Sequence, residues 1–254
     1  MKKKVKVAIL VIGNEILSGR TQDLNVSFLS TWLNFNCGLS VQEVRIIPDI
    51  EKIIVFNILE LSKNFKYVFT TGGIGPTHDD ITSLSIAKAL NYQYVLNEEA
   101  KNILVNYYGS ENINDARLKM AYLPKSAKLL ENPISSAPGF IIENIFVFAG
   151  VPKIFQAMFK CSLKYLVAGN VIKSIEVKLS LVESQIAKHI YNLQQHYSNL
   201  KIDSDLKIGS YPFKNGTSVV FRSRNNQLLD NSVNDALKIF NKIQSNSIIE
   251  IIND

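Results

Sequence analysis

The sequence has few of the residues that build disulfides and metal centres. Its 254 residues include two cysteines, three histidines and one tryptophan. Cys37 and Cys161 stand alone, without the paired spacing of a zinc site or a redox motif, which suits a reducing cytoplasm. No apolar run approaches the roughly 20 residues that span a bilayer. We therefore expect a cytoplasmic protein without a membrane partner.

Acidic residues are also in deficit, with 22 Asp and Glu against 28 Lys and Arg, for a net charge of +6. The lysines are spread along the chain, apart from Lys2, Lys3 and Lys4 at the start. This distribution favours an anionic small ligand over nucleic acid, which usually binds a basic stripe with aromatic residues between the charges. The apolar run 7–12 after these lysines is too short for a signal peptide and predicts a buried first strand.

Apolar runs alternate with amphipathic stretches over the first two-thirds of the chain, an order typical of an α/β domain with a mainly parallel sheet between helices. We predict such a three-layer domain for residues 1–168. Its segments are strands at 5–12, 41–47 and 67–71, helices at 24–35, 50–61 and 81–90, a helix that begins near 97–99, a helix at 113–122, a hairpin of 139–142 with 145–148, and a helix from Pro152.

A second, smaller domain is predicted for residues 169–254. There the order becomes strand, helix, strand, strand, helix, strand, which is the ferredoxin-like α+β plan. Ala168-Gly169-Asn170 forms a plausible hinge before it.

The stretch TTGGIGPTHDD, residues 70–80, follows the third predicted strand. Gly72, Gly73 and Gly75 let backbone N–H groups approach an anion, and a helix N-terminus follows them. The spacing matches neither the dinucleotide fingerprint nor the phosphate-loop lysine motif. Thr77 and Asp80 also fit a capping box, so the loop alone is compatible with a phosphate cradle or with a capped turn.

Other polar residues follow the predicted strands at the same edge of the sheet, where open α/β sheets bind ligands. Glu15 follows the first strand and Asp49 follows the second, while the Thr71 hydroxyl ends the third. Ser135, Ser136 and Gly150 lie in later loops that can complete a pocket wall. His78 is interpreted as a solvated neighbour of Asp79 and Asp80, and His189 with His196 lacks a third metal ligand.

Five stretches in order resemble one family: GNEILSGRTQDLN, EVRIIPDI, FTTGGIGPTHDDIT, LPKSAKLLENPISSAPGF and FVFAGVPKIFQAMF. They are similar to the molybdopterin-binding domain of MoaB and Mog proteins, in the version at the N-terminus of the competence/damage-inducible protein CinA. The resemblance covers about residues 5–165. The tail, with IGSYPF and TSVVFRSR, is similar to the small domain of stand-alone CinA-like proteins, which lack the nicotinamide-nucleotide deamidase domain of longer ones.

The resemblance implies roles for individual residues. The family's ligand loop corresponds to Gly72, Gly73, Gly75 and Thr77, and its acid at the following helix corresponds to Asp80. Asp49 matches the acid implicated in catalysis by Mog-type enzymes. Asn14 stands where many relatives have threonine or aspartate, and Lys153-Ile154 replaces an acid after the AGVP turn.

Two activities follow from the resemblance. The first is metal-dependent hydrolysis of the pyrophosphate in ADP-ribose-like dinucleotides, which we favour; the second is molybdopterin binding or adenylylation. Non-catalytic ligand binding is a third alternative. The partner is then a phosphorylated nucleotide or pterin, with molybdopterin as a possible ligand, and we expect a homo-oligomer.

The favoured hypothesis assigns a role to each candidate residue. Carboxylate oxygens suit a divalent metal ion, so Asp80, Asp79 and Glu15 are the candidate metal ligands, and Asp80 and Asp49 the catalytic residues. The predicted ligand-binding residues are Gly72, Gly73, Gly75, Thr77, Thr71, Asn14, Ser135, Ser136 and Gly150.

Overall fold

The chain is described here by a computed structural model over residues 5–200 and 205–253. Lys2, Lys3 and Lys4 lie outside these residues. Backbone contacts divide the chain into two compact units, Met1–Gly169 and Asn170–Asp254.

The first unit alternates strands and helices in the order that the sequence predicts. Its elements are β1 (Lys6–Ile12), α1 (Asn14–Leu17), α2 (Asn25–Thr31), β2 (Ser40–Ile47), α3 (Glu51–Asn64), β3 (Tyr67–Thr71), α4 (Thr82–Ala89), β4 (Tyr94–Leu96), α5 (Glu98–Tyr108), α6 (Asp115–Lys119), β5 (Tyr122–Pro124), β6 (Lys128–Leu130), β7 (Gly139–Ile142), β8 (Ile145–Phe148) and α7 (Pro152–Ser162).

A six-stranded sheet in the order β2-β1-β3-β8-β7-β6 forms the middle layer. The strands β2, β1, β3 and β8 are parallel, whereas β7 and β6 pair antiparallel. Ala8, Leu10 and Ile12 of β1 enter one hydrophobic core with residues of α3, α4 and α5. The alternate residues of β1 enter a second core on the opposite face with α2 and α7. This arrangement confirms the predicted three-layer fold with a mainly parallel sheet.

Two predicted helices differ from the observed ones. The helix predicted over 24–35 is α2, which continues as a π-helical turn over Trp32–Asn36. Leu24, predicted on its buried face, precedes the helix and is 52% exposed. The helix predicted over 113–122 contracts to α6, because Tyr122 joins β5 and pairs with β4 instead. In that segment pairing with a neighbouring strand outweighs helical periodicity.

The second unit confirms the predicted ferredoxin-like order. Its strands pair antiparallel in the order β10-β11-β9-β12, and α8 and α9 pack residues such as Ile186 and Phe240 against one face of the sheet. The elements are β9 (Lys173–Leu179), α8 (Glu183–Leu200), β10 (Lys207–Phe213), β11 (Gly216–Ser223), α9 (Asn226–Ile243) and β12 (Ile248–Asn253).

Within the described ranges, no helix combines the length and the apolar character that a membrane span needs.

Candidate functional site

The loops that leave β1, β2, β3 and β8 meet at one edge of the sheet because these strands are parallel. The Gly13 N–H donates to the Ile47 carbonyl at 3.1 Å, which joins the first two loops. The Gly72 N–H donates to the Phe148 carbonyl at 3.1 Å, which joins the third and fourth. The expectation that the loops after the first three strands share an edge is therefore confirmed.

The glycine loop requires glycine at its first two positions. Gly72 and Gly73 have φ angles of +103° and +70°, in the region that other residues rarely adopt. A Cβ atom on Gly72 would lie 2.1 Å from the Ile12 carbonyl oxygen, and one on Gly73 would lie 2.1 Å from Thr82 Oγ1. The backbone of the loop therefore passes close to β1 and α4.

Three consecutive backbone N–H groups of this loop are available to a ligand. Within residues 5–200 and 205–253, the N–H groups of Gly73, Ile74 and Gly75 donate no hydrogen bond. These residues are partly exposed, so water or a bound anion can satisfy the donors. The α4 helix begins at Thr82, and the Thr82 N–H donates to the Gly73 carbonyl at 2.9 Å.

The end of the loop is closed by Thr77 and Asp80. Asp80 Oδ2 accepts the Thr77 backbone N–H at 2.8 Å and also the Thr77 hydroxyl. The Lys119 ammonium group donates to the Thr77 carbonyl from α6. The capping-box interpretation is wrong, since the N-cap of α4 is Ile81 and its first turn contains no acid. Asp80 closes a turn that precedes the helix.

Asp49 is the acid that faces the glycine loop. Its Oδ2 accepts the Asn14 N–H at 2.8 Å, and its Oδ1 is 3.6 Å from the position that a Gly73 Cβ would occupy. Partial burial raises the pKa of Asp49 above its ordinary value, and the charges of Glu15 and Asp79 raise it further. The Asn14 N–H is thus bound to Asp49, and Glu15 and Asp79 lie close enough for their charges to act on it.

Asp79 is exposed and lies near Thr77. Polar groups of the same turn, the Thr77 side chain first and then the Asp79 backbone, lower the pKa of this carboxyl group, with smaller contributions from the charges of His78 and Lys119. Asp79 therefore keeps a negative charge at the open side of the site. Asp80 has a different position, because its carboxylate is bound to Thr77.

Thr71 belongs to a buried network that ties two loops together. Asn25 Nδ2 donates to Thr71 Oγ1 at 2.9 Å and to the Gly150 carbonyl at 2.8 Å. Thr71 Oγ1 donates in turn to the Ala149 carbonyl at 3.2 Å. Asn25 is 4% exposed and Thr71 is 2% exposed, so both side chains lie beneath the loops, whereas Gly150 is exposed.

Sequence reasoning missed the roles of Asn25 and Thr82. The Asn25 Oδ1, Thr70 Oγ1 and Thr82 Oγ1 atoms are buried without a hydrogen-bond partner in the described part of the chain. Unsatisfied buried polar atoms are uncommon and point to strain or function. Both missed residues occur in the quoted motifs, as the last letters of GNEILSGRTQDLN and FTTGGIGPTHDDIT, but their spacing alone does not show what they contact.

Ser135 and Ser136, predicted to complete a pocket wall, lie in a loop with contacts of its own. Their loop, which joins β6 to β7, lies at the same edge of the sheet because β7 runs antiparallel to β8. Ser136, however, lines a separate cavity of about 560 Å³ with Lys128 and Tyr165. The Ser135 hydroxyl accepts a bond from Asn132 Nδ2 at 2.7 Å, and the Asn132 side chain also accepts the Ser135 N–H, which shapes the loop internally.

Arg117 and Lys119 have separate roles. The Arg117 guanidinium lies over the Tyr108 ring at 4.2 Å from its centroid, whereas Lys119 contacts the glycine loop.

The residues that the structure describes do not form a metal-binding site in advance of a ligand. Among them, no group of three or more His, Cys, Asp or Glu side chains is close enough to hold one. The charges of Glu15 and Asp79 act on Asp49, and carboxylate oxygens suit a hard cation that arrives with phosphate oxygens.

The fold and the site define an α/β protein that presents a glycine loop and a partly buried acid at the carboxyl edge of a parallel sheet. Residues 8–168 match the family described as the probable molybdopterin binding domain. The chain belongs to this family.

Similarity to proteins of three other organisms covers between 60% and 92% of this chain. A protein of Archaeoglobus fulgidus is 30% identical over 92% of this chain and 97% of its own length. A protein of Sulfurisphaera tokodaii is 35% identical over 80% of this chain and 79% of its own length. A Pyrobaculum calidifontis protein is 37% identical, and the match spans 60% of each chain.

Among solved structures, the protein CinA of Thermoplasma acidophilum aligns with a TM-score of 0.59 and 30% identity, over 63% of this chain and 98% of that one. This similarity confirms the resemblance to the CinA type of the domain. The MoaB protein of Thermus thermophilus aligns with a TM-score of 0.41 and 18% identity, over 64% of this chain and 91% of that one.

Proposed function

We propose that the chain binds a small molecule with a phosphate or pyrophosphate group at the glycine loop, and that it hydrolyses the pyrophosphate of ADP-ribose-like dinucleotides. The supporting observation is a row of three N–H groups, those of Gly73, Ile74 and Gly75, that donate no hydrogen bond within the described residues, with the Asp49 carboxylate beside Gly73. A row of backbone donors beside a helix N-terminus favours anions. The surplus of basic residues supports an anionic ligand.

Asp49 is the proposed general base. The attacking water forms a bond to one phosphorus atom, the bond from that phosphorus to the bridging oxygen breaks, and the water proton passes to Asp49. The two products are then phosphate monoesters. Burial and the neighbouring charges of Glu15 and Asp79 raise the pKa of Asp49, which makes it a stronger base than an exposed aspartate. The loop N–H groups stabilise the charge that develops on the phosphoryl oxygens.

We propose that a divalent ion binds together with the substrate phosphates. Mg²⁺ commonly binds through one or two carboxylates together with phosphate oxygens rather than in a protein cage. Asp79 and Glu15, beside Asp49, are the residues that would hold it, and it would supply charge neutralisation at the pyrophosphate. Asp80, which the sequence suggested as a ligand and catalytic residue, is assigned here to holding the loop through Thr77.

The test compares Asp49→Asn with the wild-type chain in hydrolysis of ADP-ribose, with and without added Mg²⁺. We expect turnover to fall at least about 100-fold, the usual contribution of a general base. Because asparagine still accepts the Asn14 N–H, binding of the substrate is expected to persist. Glu98→Gln, which alters an exposed acid of α5, is the matched control and is expected to keep wild-type turnover.

Two results would overturn the hydrolase proposal. One is an Asp49→Asn variant with wild-type turnover, and the other is a wild-type chain that binds ADP-ribose without hydrolysing it.

The alternative is molybdopterin binding or adenylylation, which the description of the family supports. Under this alternative the purified chain binds a pterin, detected by pterin fluorescence, and consumes ATP only when the pterin is present. Saturable binding of either ligand without any turnover would instead indicate a binding protein.

A further inference from the structure

The strand β2 is an open edge of the six-stranded sheet. Among the described residues it pairs with β1 alone, and its eight residues, SVQEVRII, include neither proline nor lysine. An edge strand presents unpaired N–H and C=O groups to other chains, and proteins commonly protect such edges by shortness, proline or lysine. The opposite edge of the sheet is protected in this way, because β6 has three residues and begins with Lys128. The edge at β2 is therefore open to pairing.

The backbone of β2 directs a defined set of groups outward. The Ile47 carbonyl accepts the Gly13 N–H, which follows directly after β1, so Ile47 directs its backbone groups toward β1. Successive residues of a strand alternate in this direction, and the register with β1 is regular from Glu43 to Ile47. The N–H and C=O groups of Val44 and Ile46 therefore point away from β1.

Apolar side chains along this edge are exposed. Val44 and Ile46 lie on one face of β2 and are 41% and 42% exposed. On the other face, Phe56 of α3 is 63% exposed. It lies one helical turn before Glu60, which accepts a hydrogen bond from Arg45 of β2 at 2.7 Å. Single exposed apolar residues are ordinary on a protein surface, whereas apolar residues on both faces of an open strand indicate a surface that a partner covers.

The charges of β2 are self-complementary about Val44. Glu43 and Arg45 stand on either side of it and point to the same face of the sheet, where Arg45 Nε lies 2.6 Å from Glu43 Oε1. In an antiparallel pair of β2 strands centred on Val44, each Glu43 lies opposite Arg45 of the second copy, which is a favourable pairing. The same register joins the outward backbone groups of the two Val44 residues. A register centred on Arg45 would instead place like charges opposite each other.

We propose that two copies of the chain associate through β2, in an antiparallel pair centred on Val44 that joins their six-stranded sheets into one. The partner at this edge is a second copy rather than an unrelated peptide, because Glu43-Val44-Arg45 complements itself in the antiparallel direction. The interface has two-fold symmetry, with the same surface on both copies. The proposal goes beyond the proposed function, since it requires no ligand, and it names the surface that forms the predicted homo-oligomer.

The test measures the molar mass of the whole chain by sedimentation equilibrium over a range of concentrations. We expect the wild type to form dimers, and Val44→Lys to weaken the dimer at least ten-fold because two like charges then meet at the two-fold axis. Val182→Lys, at an exposed valine outside β2, is the matched control and is expected to dimerise as the wild type does. A wild-type chain that forms no dimers, or a Val44→Lys variant with wild-type dimerisation, would overturn the proposal.

A mixing experiment tests the register. Val44→Glu alone is also expected to weaken the dimer at least ten-fold. An equimolar mixture of Val44→Lys and Val44→Glu is expected to associate at least ten-fold more tightly than either variant alone, because opposite charges then lie across from each other. If the mixture associates no more tightly, while each variant keeps the wild-type circular dichroism spectrum, the register centred on Val44 is wrong.

A cysteine variant tests the same register without adding charge. Directly opposite residues in a hydrogen-bonded antiparallel pair have Cα atoms about 5.5 Å apart, a distance that a disulfide spans. Val44→Cys, treated with oxidised glutathione, is therefore expected to form a disulfide-linked dimer on a non-reducing gel. The wild type, in which Cys37 is buried and Cys161 is partly buried, and Val182→Cys are the controls and are expected to remain unlinked. Absence of a linked dimer from Val44→Cys would contradict the proposal even if the charged variants do not fold.

Discussion

At the scale of single residues, the site depends on the conformation of Gly73 and on the acid that faces it. A methyl group at residue 73 would enter the space between Thr82 Oγ1 and Asp49 Oδ1. The absence of a side chain at Gly73 therefore brings the loop backbone within reach of Asp49, in the loop after β2, and of the first residue of α4.

Gly73→Ala is expected to lower the free energy of unfolding by about 2 to 5 kcal/mol, as the sum of left-handed backbone strain and overpacking. Gly19→Ala is the matched control, since Gly19 has φ +73° but no atom within 4 Å of its added Cβ, and it is expected to cost only about 1 to 2 kcal/mol. Chemical denaturation measures both. Equal costs at the two positions would show that the contact with Thr82 does not constrain the loop.

Asp49 makes stability depend on pH in a defined direction. Its pKa is raised above the ordinary value of 3.8, mainly by burial, so the folded chain binds this proton more tightly than the unfolded chain. The contribution of this proton to the free energy of unfolding is fully present below the pKa of Asp49 in the unfolded chain. It is lost as pH rises through the pKa of Asp49 in the folded chain. In Asp49→Asn we expect this fall in the free energy of unfolding to disappear, with stability at pH 7 equal to or above wild type.

Urea denaturation at pH values from about 4 to about 7 measures this difference. Glu98→Gln, on the exposed surface of α5, is the control, because it removes one negative charge from a side chain that is not buried. A wild-type curve that rises more steeply with pH than the Asp49→Asn curve would contradict the assigned direction.

At the scale of secondary-structure elements, the β7–β8 hairpin is attached to α3 by one side chain. Asn144 Nδ2 donates to the Ser62 and Phe65 carbonyls, both at 2.9 Å. Asn144→Ala is expected to lower the free energy of unfolding by about 2 to 4 kcal/mol, since two hydrogen bonds are lost together. Asn34→Ala is the control, because it removes one hydrogen bond, to the Ser30 carbonyl, between residues four positions apart in α2 and its π-helical continuation. We expect it to lower the free energy of unfolding by less than about 1 kcal/mol. Comparable denaturation midpoints for the two variants would contradict this role of Asn144.

The bounds of several elements could be predicted because local chemistry defines them. The strands Tyr67–Thr71, Gly139–Ile142 and Ile145–Phe148 agree with the prediction residue for residue. Each is an apolar run bounded by glycine, by a turn pair or by polar residues. The start of α4 was predicted less well, because the acids that suggest a helical first turn belong to a preceding turn closed by Asp80 and Thr77.

At the scale of the whole molecule, each unit has its own hydrophobic core. Residues such as Phe69 and Phe155 form cores of the first unit, and residues such as Phe221 and Phe240 form that of the second. We expect fragments 1–169 and 170–254 to unfold cooperatively as separate proteins, and the first fragment to have the same affinity for ADP-ribose as the whole chain. Circular dichroism and calorimetry measure these properties. This prediction of independent domains would be contradicted by a second fragment that does not unfold cooperatively, or by a first fragment that has no affinity for the ligand.

The predicted homo-oligomer is tested separately, by analytical ultracentrifugation of the whole chain.

Local sequence patterns determined the strands, the position of the glycine loop and the family, since apolar periodicity and short motifs act over neighbouring residues. Only the tertiary structure decided which groups meet. Asp49 contacts Asn14 across 35 positions, and Asn25 contacts Thr71 and Gly150 across 46 and 125 positions. Such contacts arise from the order and parallel register of β1, β2, β3 and β8, which is set by how the whole sheet packs its two cores. For this physical reason the sequence identified Asp49 and Asp80 as a pair of acids, and the fold separated the acid that faces the loop from the acid that closes it.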